Sequence, residues 1–344
     1  MSPMTMTILM SSIATGTIIT ASSHHWLMAW IGLEMNTLAI IPMISKQHHP
    51  RATEAATKYF LTQAAASAMI LFASTTNAWQ MGSWDITNTT NPTANMLLTM
   101  ALAMKLGLAP MHFWLPEVLQ GSTIKTALII STWQKLAPMA LIFTTSNNLP
   151  TTVLLTMAMV STLIGGWAGL NQTQTRKIMA YSSIAHLGWM ASIMTIMPNI
   201  FMLNLVLYLL MTTSMFYTLI LLNSKNIKDL ATSPTTSQTT TAISMLTLLS
   251  LGGLPPLTGF MPKWLILEEL TMQNLTLTAT ILAMSTLLSL FFYLRLSYST
   301  TITLAPNTTT TKHKWRFKQP KNSLLLTMTL PMSLLMLPIT PIMC

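Results

Sequence analysis

The sequence predicts an all-α polytopic membrane protein with about eleven transmembrane helices. Of its 344 residues, 51% are hydrophobic and only 7% are charged. Apolar runs of about 20 residues, the length that crosses the hydrocarbon core of a bilayer, recur along the whole chain. Soluble domains carry about 25% charged residues, so this composition excludes an ordinary soluble enzyme.

Eleven apolar segments are expected to form the helices. They lie near residues 4–21, 25–45, 55–77, 93–120, 123–145, 150–170, 177–197, 200–222, 240–269, 274–297 and 322–343. The fourth and ninth segments are longer than one crossing needs, and both contain glycine and proline, which interrupt helices. We therefore predict a broken helix in each. The expected break residues are Gly107, Pro110, Pro116, Gly252, Gly253, Pro255, Pro256 and Pro262.

Charge placement gives the predicted orientation. Basic residues collect in or beside the loops that follow even-numbered helices: Lys46, Arg51, Lys58, Lys125, Arg176, Lys177, Lys225, Lys228, Lys312, Lys314, Arg316, Lys318 and Lys321, with Arg295 near the same face. The loops after odd-numbered helices carry Asp85, Glu268 and Glu269. Cytoplasmic or matrix loops are enriched in lysine and arginine, so the amino terminus is expected on that side and the carboxyl terminus opposite.

Four charged residues fall inside predicted helices rather than in loops. They are Glu34, Lys105, Lys135 and Lys263. Charged side chains at membrane depth are costly and usually mark ion or proton pathways, although a lysine can also extend its ammonium group to the surface or serve as a structural ion pair. These four residues are the candidate functional residues.

A short internal repeat accompanies them. Pro110-x5-Pro116-Glu117 in the fourth segment matches Pro256-x5-Pro262-Lys263 in the ninth, five helices later. An odd number of crossings inverts the second copy relative to the first, as in transporters built from inverted repeats. The predicted organisation is a first five-helix repeat at 1–146, a second inverted repeat at 147–297, and a basic loop with one C-terminal helix at 298–344.

Three motifs carry a resemblance to a known family. They are KLGLAPMHFWLPE at 105–117, RKIMAYSSIAHLG at 176–188 and LGGLPPLTGFMPKW at 251–264. Together they resemble the signatures of the antiporter-like membrane subunits of respiratory complex I, and the resemblance covers nearly the whole chain. Bacterial members of that family have fourteen helices, so this chain is expected to lack the first three.

The resemblance implies proton translocation without redox chemistry in this chain. It assigns Glu34 as the carboxylate of the second helix, Lys105 as its partner in the broken fourth helix, Lys135 as the central relay and Lys263 as the terminal residue. His112 and His186 are candidates for supporting the relay, with a structural buried histidine as the alternative.

The resemblance also implies the surroundings of the chain. It is expected to bind no cofactor and no metal, while the whole complex would use NADH, FMN, iron–sulfur clusters and ubiquinone. The expected partners are other complex I membrane subunits, including neighbouring antiporter-like and small membrane subunits, and phospholipids such as cardiolipin, with no nucleic acid. The expected location is the mitochondrial inner membrane, with the amino terminus in the matrix and the carboxyl terminus in the intermembrane space.

Two other functions stay open at this point. One is a free-standing monovalent cation/proton antiporter, because the complex I subunits resemble subunits of such antiporters. The other is a structural scaffold without transport. Four charged residues inside predicted helices argue against the scaffold, and purification from the native membrane would separate the first two functions.

Overall fold

A computed structural model describes residues 2–47, 49–235, 237–301 and 324–339. Within these residues the chain is helical, without a β-strand, and its only β-type pairs are two isolated bridges. We number the helices α1 to α15 in chain order. They are Pro3–Ser22, Trp26–Ile44, Pro50–Met81, Pro92–Leu106, Trp114–Gly121, Ile124–Ser131, Trp133–Thr145, Thr151–Gly169, Thr175–Ile193, Pro198–Leu222, Ile227–Ala231, Gln238–Gly252, Phe260–Met272, Thr276–Thr301 and Leu324–Leu335.

The all-helical prediction is confirmed for these residues. Helices occupy every predicted segment, and six stretches are long and apolar enough to cross a membrane: Pro3–Ser22, Trp26–Ile44, Ile124–Thr145, Thr151–Gly169, Pro198–Leu222 and Thr276–Thr301. The number of eleven crossings stays a prediction. The basic residues Lys312, Lys314, Arg316, Lys318 and Lys321 lie outside the described residues.

Helix starts follow local sequence chemistry. α1, α3 and α4 each begin with a proline, whose missing N–H would have no intrahelical partner at that position. The residue before each proline caps the helix by accepting a backbone N–H: Ser2, His49 and Asn91. A proline would interrupt the interior of a helix, but at these three positions it marks the start of one.

Serine and threonine side chains inside the helices mostly bond to their own backbone. The Thr99 hydroxyl donates to the Met96 carbonyl at 2.8 Å, and the Ser182 hydroxyl donates to the Met179 carbonyl at 2.8 Å. Such bonds three or four residues back satisfy a hydroxyl without a partner from another helix. They explain how a threonine-rich chain forms apolar helices.

The chain divides into two compact units. The first comprises Met1–Ser161 and Ala191–Pro198, and the second comprises Thr162–Met190 and Asn199–Cys344. In the first unit, α3 packs against α2, α4 and α5, and α1 packs against α2. In the second, α14 packs against α11, α12 and α13, and α12 also contacts α15. Glu34, Lys105, His112 and Lys135 belong to the first unit, and His186 and Lys263 belong to the second.

Candidate functional site

Lys105 lies in the last turn of α4, and its side chain is 6% exposed. α4 ends because Gly107 adopts a left-handed conformation, φ +82°, and donates its N–H to the Ala103 carbonyl. A Cβ atom at Gly107 would lie 3.0 Å from the Leu115 side chain, so both the conformation and the space favour glycine. The carbonyl end of a helix is electrostatically favourable for a cation. The break therefore places the buried Lys105 at the carboxyl-terminal end of α4, the end whose dipole stabilises a positive charge.

A small cavity opens beside Lys105. Its volume is about 10 Å³, close to the roughly 10–15 Å³ that one water molecule needs in this measure. Residues of five helices line it: Leu33, Asn36 and Thr37 of α2, Tyr59 and Gln63 of α3, Lys105 of α4, Trp114 of α5, and Gln134, Ala137 and Pro138 of α7. The cavity is the meeting point of these helices inside the first unit.

Five polar atoms on this wall share one property. Buried without a hydrogen-bond partner among the described residues are Asn36 Nδ2, Asn36 Oδ1, Gln63 Nε2, Lys105 Nζ and Gln134 Nε2. Buried polar groups are almost always hydrogen-bonded to protein or to ordered water. A polar cavity of this size with several convergent partners is therefore suited to an ordered water molecule.

Glu34 lies on α2, and its Oε2 atom is also buried without a hydrogen-bond partner among the described residues. Among the described residues, Glu34 and Lys105 do not form an ion pair within 4.0 Å. In the described part of the chain, the ion pairs within that distance join Lys58 to Glu54 at 2.5 Å and to Glu117 at 2.6 Å. The Glu34 carboxylate and the Lys105 ammonium are therefore not in direct contact.

Lys135 stands beside a helix break that the sequence reasoning missed. The fifth predicted helix divides into α6 and α7 at Thr132, and Lys135 is the third residue of α7 and 5% exposed. Pro138 lies in the same helix and cannot donate to the carbonyl four residues earlier, that of Gln134. A proline three residues after a lysine in an apolar run was the available signal.

Lys263 belongs to the second unit and is partly buried. α12 ends at Gly252, α13 begins at Phe260, and Lys263 is the fourth residue of α13. Its ammonium group donates a hydrogen bond of 2.8 Å to the Gly252 carbonyl, across the break. The residues Pro255 and Pro256 lie within this break, whereas Pro262 lies in the first turn of α13, as Pro116 does in α5.

The two candidate histidines are both buried. His112 lies between α4 and α5, beyond Pro110, with its ring 4.4 Å from that of Phe113. His186 lies on α9 with its ring 5.5 Å from that of Tyr208 on α10. Neither residue lines the cavity beside Lys105.

The sequence reasoning did not single out the amides Asn36, Gln63 and Gln134. Each lies within an otherwise apolar predicted helix, and a polar amide at membrane depth was the signal that could have found them. In the described ranges, histidine, cysteine and acidic residues nowhere form a group of three that could hold a metal ion. The polar groups that line the cavity, one ammonium and three amides, are hydrogen-bond donors and acceptors.

Comparison with known proteins identifies the family of this chain. Residues 23–289 match the family described as NADH:quinone oxidoreductase/Mrp antiporter, transmembrane, and residues 290–344 match the NADH dehydrogenase subunit 2 C-terminus. The NADH-ubiquinone oxidoreductase chain 2 of Xenopus laevis is 56% identical over 342 residues, which cover 99% of each chain.

Solved structures also match. A chain of respiratory complex I from Thermus thermophilus with bound aureothin aligns with a TM-score of 0.82 at 27% identity, over 96% of this chain and 78% of that one. A chain of the Mrp complex from Dietzia sp. DQ12-45-1b aligns with a TM-score of 0.78 at 15% identity, over 87% and 61% of the two chains, which shows the common fold alone. The chain belongs to the transmembrane NADH:quinone oxidoreductase/Mrp antiporter family.

Proposed function

We propose that this chain is a core membrane subunit of proton-pumping NADH:ubiquinone oxidoreductase and conducts protons through buried charged residues. The observation that carries the proposal is the similarity to NADH-ubiquinone oxidoreductase chain 2 over 99% of both chains. The site adds a chemical reason, since Lys105 and three buried amides line a water-sized cavity, and Glu34 lies partly buried on α2, one of the helices that line it.

The proposed first step concerns Glu34 and Lys105. Opposite charges favour each other's charged forms, so in this proposal an ionised Glu34 favours a charged Lys105, while apolar surroundings disfavour any buried charge. When Glu34 takes up a proton, that stabilisation is lost, and Lys105 gives its proton to water in the cavity. We propose that Lys135 and then Lys263 continue the pathway, with His112 and His186 as candidates for support.

The proposed architecture is eleven crossings arranged as two inverted five-helix repeats, at 1–146 and 147–297, with 298–344 appended. The ends of α4 and α12 support it, because each helix stops at a left-handed glycine that bonds back to its last turn. The following leucines, Leu108 and Leu254, also donate back, to the Ala103 and Leu249 carbonyls. The two breaks thus share one backbone design.

We place the chain in the mitochondrial inner membrane, with its amino terminus in the matrix and its carboxyl terminus in the intermembrane space. Its partners in this proposal are the other membrane subunits of the complex, and phospholipids such as cardiolipin surround it. NADH, FMN, iron–sulfur clusters and ubiquinone would act in other subunits, so this chain is part of an enzyme and contributes no redox centre.

Purification from the native membrane in mild detergent tests the proposal. The chain should co-migrate with a large assembly that oxidises NADH and reduces ubiquinone. Isolation in a small complex that exchanges monovalent cations for protons would instead support the free-standing antiporter, whose fold this chain shares. Recovery in the large assembly with unchanged pumping after neutralisation of Lys105 would support the scaffold function.

A further inference from the structure

Gly253 lies directly under the side chain of Lys263. The glycine has φ +78°, and a Cβ atom built on it would lie 2.7 Å from Lys263 Nζ, 2.9 Å from Cδ and 3.0 Å from Cε. Real Cβ atoms do not approach other atoms this closely, so any side chain at position 253 must displace the end of the lysine. The end of the Lys263 side chain thus occupies the space that a side chain at position 253 would fill.

The ammonium group in this place bonds to a specific acceptor. Lys263 Nζ donates at 2.8 Å to the carbonyl of Gly252, the last residue of α12. Carbonyls in the last turn of a helix lack intrahelical partners and form the negative end of the helix dipole. Lys263 itself stands at the start of α13, where the dipole disfavours a cation. α12, rather than its own helix, stabilises the charge.

The other left-handed glycines in the described residues show that this arrangement is specific. At Gly107, with φ +82°, the added Cβ would meet Leu115 and Trp114 rather than a lysine. At Gly82, with φ +70°, it would meet nothing within 4 Å. Lys105 precedes its break and its Nζ has no partner among the described residues, whereas Lys263 follows its break and reaches back across it.

We propose that Gly253 is a positioning residue for proton transfer at Lys263. Its missing side chain lets the Lys263 ammonium bind the Gly252 carbonyl, and this contact holds the proton-carrying form of the lysine at the end of α12. The inference rests on the proposed function, in which Lys263 carries protons.

Four variants of the intact complex test it: Gly253→Ala, Gly82→Ala, Lys263→Met, and Gly253→Ala combined with Lys263→Met. Gly82→Ala is the matched control, because it introduces the same left-handed strain at a helix end with open space around it. Each complex is purified, reconstituted into liposomes, and measured for protons pumped per electron. The distance from Lys263 Nζ to the Gly252 oxygen is measured by electron microscopy of the Gly253→Ala complex.

We expect Gly253→Ala to lower the proton-to-electron ratio towards that of Lys263→Met, while Gly82→Ala keeps the wild-type ratio. The double variant should lose no more than Lys263→Met alone, since residues that act through one another are not additive. A wild-type ratio in Gly253→Ala, or a double variant well below Lys263→Met, overturns the inference.

Whether the variant complexes assemble gives a second test of the inference. If Gly253→Ala prevents assembly and its combination with Lys263→Ala, which removes the atoms that the new Cβ would meet, restores it, the lysine side chain was the obstacle and the inference is supported. If the combination with Lys263→Ala also fails to assemble, Gly253 acts on the backbone alone and the inference is wrong.

The two proposals fail in different measurements. Lys263→Met complexes that pump at the wild-type ratio contradict the proposed role of Lys263. A Gly253→Ala complex in which Nζ remains at hydrogen-bonding distance from the Gly252 oxygen contradicts the positioning role of Gly253, whatever Lys263 does.

Discussion

At the scale of single residues, the polar side chains of this chain divide into two groups. Most serine and threonine hydroxyls inside the helices donate to the carbonyl three or four residues back, as Thr218 does to Met215. The amides of Asn36, Gln63 and Gln134 keep buried atoms without such a bond. These atoms find no hydrogen-bond partner among the described residues, so an ordered water molecule is the partner available to them.

The first prediction concerns Gln63. It is 4% exposed, and it lines the cavity together with Lys105. Gln63→Leu should dry the cavity and slow proton transfer by about tenfold, the effect of a barrier raised by about 1.4 kcal/mol. Stability should stay within about 1 kcal/mol of wild type, because an apolar replacement leaves no amide to satisfy. Pumping rate and thermal unfolding of the purified complex measure the two effects.

Ser67→Ala is the control for this substitution. Ser67 lies one turn further along α3 with a similar exposure of 5%, and its hydroxyl bonds to the Ala64 carbonyl of its own helix. It should pump as wild type does, while Lys105→Met marks the full loss. A Gln63→Leu complex with wild-type pumping would show that the cavity water takes no part in transfer.

At the scale of helices, every candidate lysine stands within about one turn of a helix end. Lys105 is in the last turn of α4, and Lys135 and Lys263 are in the first turns of α7 and α13. Helix ends expose unpaired backbone groups, so a charge near them can exchange partners without breaking a complete helix. The interrupted helices therefore supply polar backbone where apolar side chains surround a charge.

The second prediction concerns the crossing of α1 and α2, which carries Glu34. Gly16 and Gly32 lie against each other there: a Cβ at Gly32 would be 2.8 Å from the Gly16 oxygen and 2.7 Å from Thr20 Cγ2. Small residues allow membrane helices to approach closely. Gly32→Ala should separate the helices and destabilise the chain by about 1–3 kcal/mol, the usual effect of overpacking. Thermal unfolding of the purified complex measures it.

Thr15→Ala serves as the comparison, because Thr15 is exposed on α1, the partner helix, and its hydroxyl bonds to the Ser12 carbonyl. It should leave the unfolding temperature unchanged. If Gly32→Ala also leaves it unchanged, the α1–α2 contact is looser than the structure indicates.

At the scale of the whole molecule, the sequence predicts the fold class and the family better than the site. The length of the apolar segments predicts the helices, and the charges of the loops predict their orientation. Three motifs indicate the family. The sequence did not predict a role for Gln63 and Asn36. The burial of their side-chain amides, and the lack of hydrogen-bond partners for them, result from the packing of α2, α3, α4 and α7. The contact between Lys263 and Gly252 escaped it because eleven residues separate the two and only the geometry of the break joins them.

The last prediction concerns orientation in the membrane, and contacts inside each unit support it. His25 and Asp85 form a β-bridge, so the α1–α2 and α3–α4 connections meet at one end of the first unit. In the second unit, Arg295 donates to the Leu170 and Gln172 carbonyls, and the backbone of Thr175 bonds to Lys225. Basic residues thus gather at one end there, as the orientation rule requires.

Cysteine labelling in sealed membranes checks this arrangement. With Cys344 replaced, single cysteines at Arg51 and Arg176 should react with an impermeant reagent only from the matrix side. Cysteines at Asp85 and Glu268 should react only from the opposite side. Each position lies in a loop or within a few residues of a helix end that adjoins one, so the reagent can reach it from the side of that loop. Because an even number of crossings separates Arg51 from Arg176 in the eleven-helix arrangement, labelling of these two from opposite sides would show that the arrangement is wrong.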